Sequence, residues 1–320
     1  MVHADSLVSL YAIRSAQRVI QGRLHRTASV PSSQLSRQYG LNLFFKQEMF
    51  QKTGAFKVRG ALNKLEHLTD AEKEKGVITI SAGNHAQALA WGARQCDVQS
   101  TVVMPVTAVQ SKVEATKAYG GEVILTAEGL MDTCLTIQRA RDLTLVHPFD
   151  DPHIIAGQGT MGVEIIEDVP DVDVVVTGIG GGGMISGVAA AVKALKPEVK
   201  VIGVEPAHSC AMHQSVAAGK PITITTNKTV ADGLAAPFAG VHNLAHVQAL
   251  VDEIAIVTDE EIVEAMLDIM EWCKVLPEPA AAASFAAVAN GKCSIPAGAT
   301  VVCLLSGGNV DRSRLKELMQ

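Results

Sequence analysis

Short apolar runs alternate with amphipathic segments along most of the chain. The predicted helices cover residues 6–20, 32–39, 58–65, a short capped helix starting at Thr69, 85–95, 110–118, 130–141, 154–167, 184–195, 259–274, 280–289 and 312–318. The predicted strands cover residues 41–45, 77–80, 100–104, 122–125, 144–146, 173–177, 199–205, 251–257 and 300–305. Such regular alternation predicts an α/β protein with parallel-type sheets and right-handed crossovers.

The order of these elements predicts two interleaved domains. Residues 75–148 contain a compact series of predicted strands and helices, and we expect them to form a small α/β domain. Residues 1–74 and 149–320 would form the two parts of a large domain, with a cleft between the domains. The stretch 206–249 has no clear periodicity. Its short helical pieces are predicted at 211–217, 230–237 and 242–248.

Composition agrees with a compact enzyme and disfavours several other classes. Of the 320 residues, 48% are hydrophobic and 19% are charged, unlike a disordered or fibrous chain. The net charge of −6 and the lack of dense lysine and arginine clusters disfavour a nucleic-acid partner. The six cysteines form no Cys-x-x-Cys pair, the N-terminus has no signal-peptide pattern, and no apolar run reaches membrane-spanning length. We therefore expect a cytoplasmic protein with no membrane partner.

The first candidate site is the polar turn 51–60, which ends in glycine and contains Lys57. Lys57 lies where a predicted strand gives way to a predicted helix, a position at which α/β proteins present groups to ligands. A lysine amine that is partly desolvated can act as a nucleophile and form a Schiff base. Taken alone, Lys57 would be interpreted as a surface lysine at a helix start. Three further turns change that interpretation.

A glycine loop at 178–183 separates a buried strand from a helix. Bare backbone N–H groups at a helix N-terminus favour a phosphate group as ligand. The loop also fits the G-x-G-x-x-G fingerprint of dinucleotide folds, with Glu205 at the end of the next strand, so an NAD-dependent oxidoreductase is an alternative. Four consecutive glycines exceed what that fingerprint needs, and the alternative leaves Lys57 without a role. We therefore favour a single phosphate.

Two further turns follow predicted strands at their carboxyl ends. In the asparagine turn, 81–87, small residues and free N–H groups could bind a carboxylate, and the Asn84 amide can donate to an oxygen. In the serine turn, 306–309, the Ser306 hydroxyl could face a heteroaromatic nitrogen. Each turn alone could equally be a capped helix start.

These four turns, in this order and spacing, resemble the fold type II pyridoxal-phosphate enzymes, in the branch of threonine/serine dehydratases and serine racemases. The resemblance runs from about Tyr11 to the C-terminus and includes the segments 147–151 and 156–160. It implies a tryptophan synthase β-like architecture and pyridoxal 5′-phosphate as cofactor, with Lys57 as the catalytic Schiff-base lysine. It further implies Gly180, Gly181, Gly182 and Gly183 as phosphate ligands, Asn84, Glu278 and Ser306 around the ring, and Ser81, Ala82, Asn84 and His85 as the binding site of the substrate carboxylate.

The activity implied by the resemblance is a β-elimination that dehydrates and deaminates a β-hydroxy amino acid to a 2-oxo acid and ammonia. L-Threonine or L-serine is the expected substrate, and Lys57 would take the α-proton. A serine opposite the ring nitrogen makes the ring a weaker electron sink than an aspartate would, which favours elimination over transamination. Alternatives are a dehydratase for 3-hydroxyaspartate or another specialised hydroxy amino acid, and a serine racemase. The resemblance also implies a homodimer and a side-chain pocket built from Phe149 and the stretch 206–249.

Two positions depart from the pattern of this branch. Ala55 stands two residues before Lys57, where the branch usually has a serine, which alters the expected hydrogen bonding of the lysine turn. Ala82 stands where racemases of this branch have a second serine that reprotonates the opposite face of the substrate. We therefore expect dehydratase activity with little racemisation.

The metal pattern of the branch is incomplete. Glu205 matches its glutamate and Ser209 its backbone carbonyl, but Ala211 replaces its aspartate, so a divalent cation is not expected. The pairs His208/His213 and His242/His246 have no neighbouring third ligand, and we interpret them as structural.

Overall fold

The computed structural model describes residues 7–225 and 228–320 and contains two sheets with helices packed on them. The helices are α1 (Leu10–Ile20), α2 (Ser33–Tyr39), α3 (Lys57–Glu66), α4 (Asp70–Lys75), α5 (Asn84–Gln95), α6 (Gln110–Ala118), α7 (Leu130–Arg141), α8 (Pro152–Asp168), α9 (Gly183–Leu195), α10 (Ala211–Ala218), α11 (Val241–Leu250), α12 (Asp259–Cys273), α13 (Pro279–Ala289) and α14 (Arg312–Leu318). The strands are β1 (Ser29–Pro31), β2 (Asn42–Gln47), β3 (Val77–Ile80), β4 (Ser100–Pro105), β5 (Glu122–Thr126), β6 (Thr144–Leu145), β7 (Val174–Gly178), β8 (Lys200–Pro206), β9 (Glu253–Val257) and β10 (Thr300–Leu305).

Strand pairing confirms the predicted α/β class with parallel-type sheets. The larger sheet has the order β1-β2-β10-β7-β8-β9, in which only the β1–β2 pair is antiparallel among the described strands. The smaller sheet has the order β5-β4-β3-β6 and is parallel throughout. The strands of the smaller sheet all belong to the segment expected to form the small domain. The domain boundaries at 74/75 and 148/149 stay a prediction.

Most predicted elements are present, with differences in three places. Strand β1 was missed because it is a short, largely exposed edge strand that ends in Pro31, so it carries no apolar periodicity. The piece expected at 230–237 is only a 3₁₀ turn at Asp232–Leu234. Helix α1 begins at Leu10, where the Ser9 side chain accepts a hydrogen bond from the N–H of Ala12. The predicted start of that helix at Ser6 lies outside the described residues.

Residues of the central strands alternate between two hydrophobic cores, one on each face of the larger sheet. Val301 and Cys303 of β10 pack in the core that contains α12 and α13, whereas Val302 and Leu304 pack in the core that contains α9. Because successive residues face opposite cores, both faces of each central strand are buried. The sequence of these strands is therefore a continuous apolar run.

Glycines allow α3, which begins with Lys57, to cross α8 at close range. A Cβ atom on Gly157 of α8 would lie 2.5 Å from the Cα atom of Gly60 in α3, and a Cβ atom on Gly60 would lie 2.8 Å from the Ile154 carbonyl oxygen. Any larger residue at these positions would push the helices apart. The segment 156–160 is therefore explained by helix packing, which holds α3 against α8.

A buried ion network also holds the start of α3 in place. The Arg59 guanidinium pairs with Glu48 at 2.8 Å and with Glu164 of α8 at 2.8 Å, and Lys46 of β2 pairs with Glu164 at 2.7 Å. The side chains of Arg59 and Lys46 are fully buried, and so is Glu48. Lys46 also lies 3.7 Å from the Asp168 carboxylate, and Arg59 stands two residues after Lys57. The network thus fixes the lysine turn relative to β2 and α8.

Candidate active site

The four turns singled out in the sequence meet around one cavity of about 390 Å³. The asparagine turn follows β3 of the smaller sheet, whereas the glycine loop and the serine turn follow β7 and β10 of the larger one. Carboxyl ends of parallel strands share one edge of a sheet, which is why turns far apart in the sequence become neighbours. Both sheets therefore contribute to the wall of this cavity.

Lys57 is the first residue of α3, and its side chain lines the cavity. Its Nζ atom donates a hydrogen bond to the carbonyl oxygen of Pro148 at 2.9 Å. Burial lowers the pKa of the Lys57 amine to about 8, although the nearby Glu278 carboxylate favours the charged form. A substantial fraction of the amine is thus neutral near pH 8, as a nucleophile or a base requires.

The glycine loop connects β7 to the start of α9. Gly182 has a φ of +101°, and a Cβ atom on Gly181 would lie 2.4 Å from the ring of Phe149. Asn243 supports the loop from behind, because its Nδ2 atom donates to the carbonyl oxygens of Gly181 at 3.0 Å and Phe149 at 3.1 Å. Gly180–Gly183 all line the cavity. The loop has the shape and the helix N-terminus of an anion site.

Asn84 is the first residue of α5, and both ends of its side-chain amide are hydrogen-bonded. Its Nδ2 atom donates to Glu278 Oε1 at 2.7 Å, and its Oδ1 atom accepts from Asn309 Nδ2 at 2.8 Å. Burial and the nearby Asp232 carboxylate raise the pKa of Glu278 to about 7. Ser81 and Ala82 also line the cavity, and the Ser81 hydroxyl accepts from the N–H of Gly83 at 3.2 Å.

His85 is buried at the cavity wall with one ring nitrogen free of protein partners. Its Nε2 atom lies 3.4 Å from the Val146 carbonyl oxygen, and within the described part of the chain its Nδ1 atom has no hydrogen-bond partner. Burial, with a smaller contribution from the charge of Lys57, lowers the pKa of His85 to about 3. The imidazole is therefore neutral at physiological pH and can offer a hydrogen bond but no charge.

The serine turn packs directly against the lysine turn. The N–H of Phe56 donates to the Ser306 carbonyl oxygen at 3.0 Å, and Ala55 forms an antiparallel bridge with Gly307. Ala55 is fully buried, and a Cβ atom on Gly307 would lie 2.8 Å from the Cβ atom of Ala55. The small side chain at Ala55 thus fits this close contact. Ser306 is buried and lines the cavity.

Glu205 is not among the described residues that line the cavity. Its carboxylate accepts hydrogen bonds from the backbone N–H groups of Met212 at 2.9 Å and His213 at 2.7 Å, at the start of α10. Burial raises its pKa to about 7. Ser209 donates from its hydroxyl to the Leu234 carbonyl oxygen. Over residues 7–225 and 228–320, no group of three or more histidine, cysteine, aspartate or glutamate side chains could hold a metal ion.

The second histidine pair has contacts of a structural kind. The Nε2 atom of His246 accepts from the Val8 N–H at 2.8 Å, and its Nδ1 atom lies 2.7 Å from the His242 carbonyl oxygen. Both ring nitrogens are thus engaged within the fold.

Sequence reasoning gave no role to several residues that complete the site. Asn309 belongs to the serine turn but was not singled out, and Asn243 lies in the stretch without clear periodicity. Lys112 of α6 and Asp232 line the cavity and pair at 2.7 Å, which links the helices of the smaller sheet to the larger one. No local pattern marks these residues, because each acts on a group that is distant in the sequence.

Comparisons with known proteins show the family of the chain. The family model described as "pyridoxal-phosphate dependent enzyme" matches residues 20–307. The chain is 43% identical over 316 residues to an L-threonine ammonia-lyase from Thermotoga maritima, with 98% of this chain and 78% of the relative covered. It is 41% identical over 320 residues to a catabolic L-threonine dehydratase from Staphylococcus aureus, with 98% and 92% covered.

Solved structures with the same fold are similar over nearly their whole length. Maize serine racemase superposes with a TM-score of 0.92 at 39% identity, covering 98% of this chain and 97% of the other. The processed form of threonine deaminase isoform 2 from Solanum lycopersicum superposes with a TM-score of 0.91 at 33% identity, covering 97% and 91%. The chain belongs to the family of pyridoxal-phosphate-dependent enzymes.

Proposed function

We propose that this protein is an ammonia-lyase that converts L-threonine, and also L-serine, to the corresponding 2-oxo acid and ammonia. The observation that carries the proposal is the meeting of a lysine of lowered pKa, a glycine anion loop and a helix N-terminus in one cavity. Curated relatives that match 98% of the chain are named for threonine ammonia-lyase and threonine dehydratase, which supports the choice of substrate.

The residues around the cavity fit pyridoxal phosphate. Gly180–Gly183 would bind the phosphate through backbone N–H groups at the start of α9. Gly181 has no room for a side chain, because a Cβ atom there would collide with the Phe149 ring. Lys57 supplies the amine for covalent attachment, and Asn84 and Ser306 offer polar groups for the ring substituents. When bound, this cofactor withdraws electrons from the α-carbon of the substrate and so makes its C–H bond acidic.

In this proposal Lys57 moves the proton. With the substrate in place, the Lys57 amine would be free in a desolvated position, where its lowered pKa would leave it largely neutral above pH 8. The neutral amine accepts the α-proton at Nζ. The bond from the β-carbon to the hydroxyl oxygen would then break, and the proton held at Nζ would pass to the departing hydroxyl, which leaves as water. The electron pair of the former C–H bond would form the double bond of an enamine, and addition of water to this enamine would release ammonia and the 2-oxo acid.

The start of α5 would hold the substrate carboxylate. Backbone N–H groups of the turn after β3 lie at a helix N-terminus, where negative charge is stabilised. Neutral His85 would add a hydrogen bond without attracting the carboxylate by charge. This arrangement orients the α-proton without neutralising the carboxylate.

Two other activities, an NAD-dependent oxidoreductase and a racemase, are less well supported. Family membership disfavours the dinucleotide interpretation, and the Glu205 carboxylate is engaged by the N–H groups of α10. A racemase remains the second candidate, because maize serine racemase is similar over the whole chain. Ala82 opposes it, since its methyl group lines the cavity where a hydroxyl would be needed for reprotonation. We therefore infer that racemisation is a minor activity.

The proposal is tested by the visible spectrum and the product assay together. We expect the protein purified with pyridoxal phosphate to absorb visible light, and borohydride followed by peptide mass spectrometry to locate the modified residue at Lys57. Ammonia and 2-oxo acid should then form from L-threonine and L-serine faster than from 3-hydroxyaspartate. A protein that remains colourless with added pyridoxal phosphate would contradict the proposal, and a preference for 3-hydroxyaspartate would replace the substrate.

Three further properties remain proposals. We infer a homodimer, which light scattering on the purified protein would test, a cytoplasmic location, and activity without a divalent cation. Among the helices of the described ranges, none combines the length and hydropathy needed to cross a bilayer. Undiminished turnover in the presence of a strong chelator would support the metal-independent reaction.

A further inference from the structure

The amide of Asn84 is held between two side chains from other parts of the chain. Glu278 stands 194 residues away in sequence and accepts from Asn84 Nδ2, while Asn309 stands 225 residues away and donates to Asn84 Oδ1. These contacts join α5 of the smaller sheet to the loops of the larger one. They are the only hydrogen bonds that the described residues show for this amide.

Asn309 is itself fixed by the lysine turn. Its Nδ2 atom also donates to the Thr53 carbonyl oxygen at 2.8 Å. A Cβ atom on Gly54 would lie 2.4 Å from Asn309 Oδ1, so the bare backbone of Gly54 allows the amide to pack there. The donor that Asn309 presents to Asn84 therefore has a defined direction.

Glu278 is equally well fixed. It is the N-cap residue of α13, is followed by Pro279, and is 4% exposed. Its N–H donates to the Gly307 carbonyl oxygen at 2.9 Å, and a Cβ atom on Gly307 would lie 2.8 Å from its Oε1 atom. Its carboxylate oxygen thus stays opposite Asn84.

This pair of neighbours distinguishes the two possible orientations of the Asn84 amide. In the observed orientation, a donor faces the carboxylate and an acceptor faces the Asn309 NH₂ group. Rotation by 180° would place oxygen against carboxylate and NH₂ against NH₂, which loses both hydrogen bonds and adds repulsion. One hydrogen of Asn84 Nδ2 then remains for a ligand in the cavity.

We propose that Glu278 and Asn309 are positioning residues that select the amide orientation of Asn84, so that its remaining N–H is directed at the bound cofactor. This inference rests on the proposed function, because it needs pyridoxal phosphate in the cavity. Neither residue needs to take part in the proton transfer for this role.

Double-mutant cycles on the full-length protein test the proposal. Glu278→Gln and Asn309→Ala are made in the native background and in an Asn84→Ala background. The readouts are the Kd for pyridoxal phosphate and the wavelength of maximum absorption of the bound cofactor. We expect each single variant to raise the Kd by about tenfold and to shift the absorption maximum. In the Asn84→Ala background, the same substitutions should add little, because the group through which they act is absent.

Controls separate positioning from general damage. Ser313→Ala changes a side chain on the neighbouring surface cavity and should keep the native Kd and spectrum. Thermal unfolding of each variant reports loss of stability independently. If Glu278→Gln does not fold, the Asn309→Ala cycle decides alone.

Two results would overturn the inference. Effects that persist undiminished in the Asn84→Ala background would show that Glu278 and Asn309 act on the cofactor by another route. Single variants with native Kd and spectrum would show that the orientation of Asn84 needs no help. Failure of the native protein to bind pyridoxal phosphate would instead contradict the proposed function itself.

Discussion

Lys57 shows how burial alone prepares a side chain for chemistry. The cost of burying an ammonium group lowers the pKa of its amine to about 8, and the carboxylate of Glu278 reduces this effect without reversing it. The hydrogen bond to the Pro148 carbonyl oxygen orients the amine. A mobile surface lysine would have neither property, so the position in the fold makes the difference.

The pH dependence of turnover should follow the free Lys57 amine. In the proposed mechanism the neutral form accepts the α-proton, so we expect kcat to rise with pH and to level off above about pH 8. Below that value kcat should fall by about tenfold per pH unit, because each unit reduces the neutral fraction by that factor. Measurement of kcat at saturating L-threonine from pH 6 to pH 10 tests this expectation. A flat profile would show that proton removal by Lys57 does not limit the rate.

A single hydroxyl at position 82 should increase racemisation. Ala82 lines the cavity from the asparagine turn, and Lys57 lines the same cavity from α3. Ala82→Ser would place a proton donor there, and we expect formation of D-serine from L-serine to rise by about tenfold or more. Chiral chromatography of the products measures this. Ala82→Gly serves as the control that changes the turn without adding a donor, and equal D-serine from both variants would contradict the expectation.

At the scale of elements, the site consists of turns and helix starts whose positions follow from strand pairing. The glycine loop depends on backbone conformations and contacts that a side chain would disturb, as at Gly182, where φ is +101° and a Cβ atom would lie 2.6 Å from Met212 Cε. The asparagine turn and the lysine turn include the first residues of α5 and α3. Helix starts provide the free N–H groups that anionic ligand groups need.

Gly182→Ala should weaken cofactor binding more than an alanine at a positive-φ glycine with open space around it. The added methyl group meets Met212 and Asn243 and also strains a positive-φ backbone, so we expect the Kd for pyridoxal phosphate to rise by about tenfold or more. Gly298→Ala is the matched control, because Gly298 has a φ of +76° but no atom within 4 Å of the added carbon. Fluorescence titration of both variants gives the comparison. Equal losses in the two would show that backbone strain alone is responsible.

At the scale of the whole molecule, two sheets share one site, and buried charges support it. Lys112 and Asp232 connect the two sides at the cavity, while Arg59, Glu48, Glu164 and Lys46 form the buried network behind the lysine turn. A buried ion pair adds little stability relative to well-packed apolar groups, but the loss of one partner leaves an uncompensated charge. The buried network therefore serves mainly to fix the lysine turn in place.

Removing Arg59 should destabilise the protein strongly. Arg59→Met leaves the fully buried Glu48 without its guanidinium partner, and we expect a loss of about 3–5 kcal/mol in the free energy of unfolding. Urea denaturation monitored by circular dichroism measures this. Lys75→Ala, which removes a solvent-exposed pair with Asp142, should leave the midpoint unchanged. A similar midpoint for both variants would contradict the role assigned to the network.

Near-neighbour patterns in the sequence sufficed to predict the class of fold and the candidate turns. Apolar runs predict the buried strands, and consecutive glycines predict the glycine loop. Lys57 is recognisable by its position between a predicted strand and a predicted helix. Strand β1 is not predictable in this way, because an exposed edge strand that ends in Pro31 has no apolar run. These signals are local, since each depends on residues adjacent in the chain.

Only the tertiary structure decided which side chains face one another. Asn84 meets Asn309 across 225 residues of chain, Lys112 meets Asp232 across 120, and Glu205 turns its carboxylate to the start of α10. The same packing decides how strongly Lys57 and Glu278 are buried, and so where their pKa values lie. By itself the sequence determined the kinds of elements and the candidate chemistry. Orientation and electrostatics required the fold, because they arise from contacts between segments that no local pattern relates.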